Sequence, residues 1–496
     1  MSIGTQKQSV PMRWMAGPLD IARRQTGKDF VPETAEVLRR WQDPELLELV
    51  RGTPINCLVI SWASGLAADA GQPGALKPLI EKGRQAGLDF VGLVEGAADK
   101  AAAIASARAA GLSALAMKAV PPGDEGIRII AWGKSGPALW GADSPILGVA
   151  DGIWPGVPLE KTPTGGPTNL PWVDSNGALL GMASAIAPGK SVWIVVDPPK
   201  KAKPTVENYL LTVADAGAYG GRWVISLDDQ MRADLAAGSL PAVRAWKKVT
   251  DAVAFFEGQR GVPGDLERMG RLAVISNFSA GDRAFGEDIL NLLPRLREPF
   301  RVIAGTQALT ASFSGLQGIF YMDQEPPEPG LRQRLVAFAR QGGTLFVRSK
   351  WPDPEGSPMQ LSSAEAYLLF GVRSLGKGRL AVAKEDEPDT YFTCADVQNI
   401  LSHRGDPARL YNGASMNYFI QVASRGGRGT IHVLNYSRRP GSDNALVYLR
   451  APWKSARFVS PEIAAPVVLD WVPQAAGGVE LDLPGISVYG AVQMES

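Results

Sequence analysis

Between residues 55 and 260 short apolar runs alternate with segments of helical composition, and that alternation restricts the chain to repeated β-α units on a parallel sheet. The runs are NCLVISW (56–62), LDFVGLVEG (88–96), LSALAMKAV (112–120), GIRIIAWG (126–133), SPILGVADG (144–152), SVWIVVDPP (191–199) and RWVISLDDQ (222–230). Helix-forming stretches such as KPLIEKGRQAG, DKAAAIASARAAG, NGALLGMASAIAPG and ENYLLTVADAGAYGG fit between them, several ending on Gly where a left-handed cap belongs. PMRWMAG (11–17) adds a strand ahead of these seven, and eight is the number at which such units close into a barrel. The amphipathic helix PAVRAWKKVTDAVAFFEGQRG (241–261) closes the domain, and GVPGD (261–265) reads as a linker.

A second alternating series follows: RLAVISNFS, FRVIAG, GLQGIFYMDQ, the helix LRQRLVAFARQGG and the strand TLFVRS, which predict a small doubly wound domain. From residue 415 the texture changes to short alternating strands (IHVLNYS, NALVYLRAP, SARFVSP, VVLDWVP, GVELDLPG, ISVYGAVQME) parted by Gly, Pro, Asn and Asp, the pattern of an antiparallel sandwich. The predicted fold class is therefore α/β: a (β/α)8-type TIM barrel over 1–262, a doubly wound α/β domain over 268–410 and a β-sandwich over 415–496. Three domains suit 496 residues at roughly one per ~150.

Composition excludes several functions. Fifty-one basic residues stand against 50 acidic ones, with no basic run interleaved with aromatics, so nucleic acid is not an expected partner. Two cysteines, Cys57 and Cys394, build neither a disulfide framework nor a cysteine zinc site, and Cys57 inside INCLVIS reads as a small buried hydrophobe. The two histidines, His403 and His432, lie late in the chain, leaving a His-based triad or multi-His metal centre without parts. No stretch reaches the ~20 apolar residues of a membrane-spanning helix, and MSIGTQKQSV lacks the shape of a signal peptide. The chain reads as soluble with no membrane partner; its compartment stays open.

In a parallel barrel the site lies where the strands end, because the loops there converge on the mouth. The predicted exits carry Trp62, Glu95, Trp132, Asp151 followed by Trp154, Asp197, and the adjacent Asp228 and Asp229. Acids and tryptophans suit sugar chemistry: indole faces stack on pyranose rings, and paired carboxylates cleave glycosidic bonds. The candidate catalytic residues are thus Glu95, Asp151, Asp228 and Asp229; the candidate saccharide contacts are Trp62, Trp132, Trp154, Asp197 and, from the loop EKTPTGGPTNLPWVDSNG (160–177), Trp172, Asp174 and Asn176. Each acid has a structural alternative. Asp228 or Asp229 caps the next helix, Asp151 makes an Asp-Gly turn, Asp197 is a solvated loop acid, and Asp174 or Ser175 is an N-cap. Asp99 is the better cap after LDFVGLVEG, which leaves Glu95 free for a site. No P-loop or dinucleotide fingerprint occurs and no cofactor is called for.

The domain order, with LRQRLVAFARQGGTLFV feeding a central strand and GKGRLAVAKED (376–386) a later one, resembles the three-domain β-galactosidases whose middle domain looks like a class I glutamine amidotransferase. The resemblance implies homo-oligomerisation through the middle domain. TLFVRSKW offers Ser349 where an amidotransferase carries its nucleophilic Cys, so that activity is not implied. It implies an Asn-Glu pair at the fourth strand exit, where IIAWGKS stands, and an acid at the seventh, where this chain has Asp-Asp.

The expected function is a glycoside hydrolase acting on an oligo- or polysaccharide through paired carboxylates. Two alternatives stay open: a non-catalytic carbohydrate-binding or scaffold protein on a decayed hydrolase barrel, and a divalent-metal hydrolase built on carboxylates.

Overall fold

The computed structural model describes the chain apart from residues 1–7, 27–31, 119–125, 157–172, 200–202, 261–265, 360–366, 404, 414, 424–425, 438–444, 451–452 and 476. It divides into two compact units, Met1–Val157 with Gly189–Gln259, and Pro158–Pro188 with Arg260–Ser496.

In the first unit, β1 (Pro11–Arg13), β2 (Cys57–Ala63), β3 (Asp89–Val94), β4 (Ala114–Met117), β5 (Arg128–Gly133), β6 (Ile146–Val149), β7 (Ser191–Ile194) and β8 (Arg222–Trp223) lie side by side in sequence order, each parallel to the next. The ring closes just beyond β8: Arg13 N–H donates to Ile225 O at 2.8 Å and Ile225 N–H to Pro11 O at 3.1 Å. PMRWMAG therefore opens the barrel, and RWVISLDDQ is its eighth and closing strand.

Outside the strands lie α1 (Pro18–Gln25) and α2 (Pro32–Arg40), α3 (Gln72–Gln85), α4 (Lys100–Ala110) and the short α5 (Pro137–Trp140). After the inserted α6 (Gly177–Ile186) come α7 (Val206–Ala218), α8 (Asp229–Ala236) and α9 (Leu240–Gln259). Helix α4 shows why local sequence sufficed: the Asp99 side chain accepts the Ala102 N–H at 3.1 Å, and Gly111 ends the helix at φ 74°. Alternation in the strands separates two cores. Cys57, Val59, Val91, Leu93, Ile130, Trp132, Ile146, Trp193 and Val224 fill the barrel interior. Burial pushes the Cys57 thiol up to about 12, that of an inert core residue.

In the second unit, β10 (Leu272–Ser276), β11 (Phe300–Ala304), β12 (Gly318–Tyr321), β13 (Thr344–Val347) and β16 (Gly378–Ala383) are parallel in the order β11-β10-β12-β13-β16. Beyond β16 the antiparallel β15 (Phe370–Leu375) and β14 (Ser357–Pro358) extend the sheet. With α10 (Arg283–Arg295), α11 (Pro329–Arg340) and α12 (Thr390–Leu401) this is a doubly wound arrangement. The hydroxyl of Ser349, past β13, donates to Asp386.

Two antiparallel sheets form the sandwich. One orders β17 (Ala408–Tyr411), β20 (Leu446–Leu449), β24 (Val479–Asp482) and β23 (Val472–Pro473) as β17-β20-β24-β23. The other runs β22 (Val467–Val468), β21 (Ser455–Val459), β25 (Tyr489–Glu495), β19 (Arg428–Asn435), β18 (Met416–Ala423) and β9 (Leu266–Met269). Their inner faces bury Leu410, Tyr418, Ile431, Val447, Phe458, Leu481 and Val492. Strand β9 begins just after GVPGD, the stretch read as a linker, and it pairs with β18 far along the chain. Residues 173–188, read from sequence as barrel, group with this unit: Asn291 Nδ2 donates to Val173 O at 2.7 Å, and Gln307 Nε2 to Ala185 O at 2.8 Å.

Candidate active site

At the C-terminal ends of the barrel strands lies a cavity of about 470 Å³. Its polar side is built from the β1 exit, α1 and the β3 exit: Arg13, Asp20, Arg23 and Glu95. Its apolar side carries Leu93, Trp132, Val195 and Val224, with Asp197 at the β7 exit. In a ring of eight, β3 and β7 are four strands apart, so Glu95 and Asp197 stand at opposite sides of the mouth.

The polar side is organised around Ser61 and Asp20, both fully buried. Asp20 Oδ1 accepts the Ser61 hydroxyl at 2.6 Å and Arg13 Nη2 at 3.3 Å, and its Oδ2 accepts the Ala16 N–H at 2.9 Å. The Ser61 oxygen in turn accepts from Arg13 Nη2 at 2.6 Å and Arg23 Nη1 at 3.0 Å. Arg13 is also held by Val59 O at 3.0 Å. Arg23 Nη1 continues to Glu95 Oε2 at 2.7 Å, an ion pair whose side chains are 26% and 45% exposed. With donors on both oxygens, the buried Asp20 carboxylate is fixed in place and braces Arg13 directly and Arg23 through Ser61. Gln72 locks the β1–α1 turn against β2, donating to Ser61 O at 2.8 Å and Ala16 O at 3.2 Å and accepting the Leu19 N–H at 2.9 Å. Gly17, at φ 92°, allows this turn: a Cβ there would meet Gln72 Oε1 at 2.6 Å.

Of the residues chosen from sequence, the cavity brings together Glu95, Trp132 and Asp197. Asp197 Oδ1 accepts the Ser226 hydroxyl at 2.6 Å. The others have structural partners. Asp228 caps α8, its Oδ1 accepting the Gln230 and Met231 N–H groups at 2.9 and 3.0 Å, and its Oδ2 accepts the Tyr209 hydroxyl at 2.6 Å. Burial and the Asp228 charge raise the Tyr209 hydroxyl above its ordinary value. Asp229 Oδ1 pairs with Arg24 at 3.0 Å and Arg232 at 2.9 Å. Asp151 accepts the Ser135 N–H at 2.8 Å as well as its hydroxyl, tying the β5 and β6 exits together.

Trp62 points away from the lumen, donating to Ser106 Oγ at 3.0 Å on α4. Trp154 is buried edge-on to Tyr209 and Trp223, with centroids 5.0 and 5.3 Å away. Trp172 lies outside the described residues. Asp174 and Asn176 belong to the second unit, where Asn176 is the buried N-cap residue of α6 and Ser175 Oγ accepts the Gly177 N–H at 2.9 Å.

Arg13, Asp20 and Arg23 escaped the sequence reading, which searched the exits of the seven later strands for acids and tryptophans and left the exit of PMRWMAG out. The signal was present: in MRWM an arginine alternates with Met12 and Trp14 on a strand. Counting β1 also shifts the exits. The fourth is Met117–Lys118 rather than IIAWGKS, and no Asn-Glu pair stands there either; the seventh is β7, whose acid is Asp197. Among the described residues no group of three or more His, Cys, Asp or Glu is placed to hold a metal, and no helix is long and apolar enough to cross a membrane.

No protein-family profile matches this chain, and no curated protein matches it significantly in sequence. Solved structures do. The GH42 β-galactosidase Gan42B of G. stearothermophilus superposes with a TM-score of 0.56 at 10% identity, covering 99% of each chain. An α-L-fucosidase (isoenzyme 2) of Paenibacillus thiaminolyticus gives 0.48 at 13% identity over 92% of this chain and 80% of its own. An exo-β-1,4-mannosidase of Opitutaceae bacterium strain TAV5 gives 0.44 at 11% over 76% and 92%. The end-to-end match to Gan42B is one of fold: this chain shares the three-domain architecture that opens with a parallel barrel.

Proposed function

We propose that this protein is a glycoside hydrolase whose reacting carboxylates are Glu95 and Asp197. The observation that carries the reading is the cavity itself: two acids on opposite strands of the mouth, an apolar wall with Trp132, and a hydrogen-bonding wall with Arg13 and Arg23. A pyranose has the matching two-sided character, apolar across its C–H face and polar around its hydroxyl edge. About 470 Å³ accommodates one or two sugar rings, of the size class of small-molecule sites.

Asp197, at the seventh exit and bonded to a neutral hydroxyl, is the nucleophile or base, and Glu95 is the proton donor to the leaving oxygen. This replaces Asp228 and Asp229, whose oxygens are engaged by the α8 N-terminus, Tyr209 and two arginines. The second reading, saccharide binding without cleavage, draws on the missing Asn-Glu pair at the fourth exit.

A panel of 4-nitrophenyl glycosides tests the proposal. Glu95→Gln and Asp197→Asn should each lower kcat by a factor of about 10²–10⁴, whereas Asp151→Asn should leave turnover within a few-fold of the parent. Full turnover in both cavity variants refutes the assignment; saccharide binding with no turnover of any glycoside by the parent favours the binding protein.

A further inference from the structure

The arginines of the cavity are not equivalent. Both terminal nitrogens of Arg13 are committed, to Val59 O, Ser61 and Asp20. Arg23 divides differently. Its Nη1 serves Ser61 and Glu95, while its Nη2 is buried and has no hydrogen-bond partner among the described residues. A buried guanidinium nitrogen without an acceptor is disfavoured, because its lost hydration is not replaced, and such a group calls for a missing partner. A guanidinium fork is matched in spacing and planarity by a carboxylate that takes both terminal nitrogens, and Glu95 takes one.

Resting on the saccharide reading above, we propose that the cavity selects sugars bearing a carboxylate, the uronic acids, and that Arg23 is the residue that recognises it. The substrate carboxylate occupies Nη2 and displaces Glu95 from Nη1, completing the fork. The displacement also frees the Glu95 carboxyl from the guanidinium, so that it can turn toward the glycosidic oxygen. A neutral sugar leaves the Arg23–Glu95 pair intact. Arg23 thus sets specificity and releases the Glu95 carboxyl in one movement.

Calorimetric titration of the full chain with D-glucuronate, D-galacturonate, D-glucose, D-galactose and D-galactose 6-sulfate separates the outcomes. The uronates should bind at least about tenfold more tightly than their neutral counterparts, the value of one charged hydrogen-bonded contact. Arg23→Met should erase that preference, and Arg23→Lys, which keeps the charge and cannot fork, should lose most of it. Glu95→Gln removes the competing anion and should raise uronate affinity several-fold, a gain that a merely structural Arg23 would not produce. If Arg23→Met fails to fold, Arg23→Lys and Glu95→Gln decide. A preference for the sulfate ester over both uronates overturns the carboxylate assignment. Neutral sugars bound as tightly as uronates, or a preference that survives loss of Arg23, overturns the inference and leaves the saccharide reading standing. Failure to bind any sugar overturns both.

Discussion

Replacing Gly148 with alanine tests whether the indole of Trp132 defines the cavity. The two residues are register partners on β6 and β5, and Trp132 is 6% exposed. A Cβ added at Gly148 would lie 2.7 Å from Cδ2 and 2.9 Å from Cζ3 of the indole, well inside the ~3.5–4.0 Å of a comfortable carbon contact. Neither side yields easily: Gly148 is fixed by the strand ladder, and the indole is wedged among interior barrel residues. Overpacking of this kind costs about 1–3 kcal/mol, and at roughly 2–4 °C per kcal/mol for a body of this size the Tm should fall by about 2–12 °C.

Trp132 lines the cavity, so any shift of its ring alters the apolar wall and saccharide affinity should fall with Tm. Calorimetry of Gly148→Ala, Trp132→Ala and the double variant completes the cycle. Trp132→Ala alone should cost about 3–5 kcal/mol, and in its background the added methyl should cost almost nothing, giving a coupling of about 1–3 kcal/mol. An unchanged Tm in Gly148→Ala with full sugar affinity, or strict additivity in the double variant, would refute the reasoning.

Two other outcomes follow from groups outside the cavity. Asp228→Ala removes the α8 cap and the acceptor of the Tyr209 hydroxyl, so it should destabilise by about 1–3 kcal/mol in urea unfolding while saccharide titration is unchanged; a loss of sugar binding without loss of stability would restore Asp228 to the site. In the sandwich, His432 donates Nε2–H to Gln421 Oε1 at 2.9 Å and accepts the Tyr489 hydroxyl at 2.8 Å, and burial, aided by Arg268, lowers its pKa from 6.5 to about 3. Since the folded value is depressed, the unfolded chain takes up the proton first: stability is complete above pH 6.5 and is lost by about 1.4 kcal/mol per pH unit as pH falls toward 3. His432→Gln should flatten that acid limb in Tm measurements between pH 6.5 and 4, and an identical slope in the variant would show that other groups set it.

Much of the architecture was readable because its signals are local. Every predicted barrel strand from NCLVISW to RWVISLDDQ became a strand, and Asp99 and Gly111 bracket α4, since a cap and a periodicity involve residues within a turn or two of each other. The same locality explains the misses. Strand β18, paired on both sides by β19 and β9, drew no notice in MNYFIQVA, where buried residues stand five in a row and alternation is absent. Strand β9 is a strand only because β18 offers it a ladder.

The candidate site divides along the same line. That acids and tryptophans gather at strand exits, and that histidine chemistry has no parts, are properties of composition and order along the chain. Which of those acids faces the cavity is settled by contacts that have no local trace: Ser61 reaches Asp20 across 41 residues and Asp229 reaches Arg24 across 205. Asp197 and Asp228 both read as a carboxylate ending an apolar run. Closure of the barrel through β1 sets the first on the wall of the cavity and gives the oxygens of the second to a helix N-terminus and Tyr209, because an acid's role follows from the donors that tertiary packing brings to it.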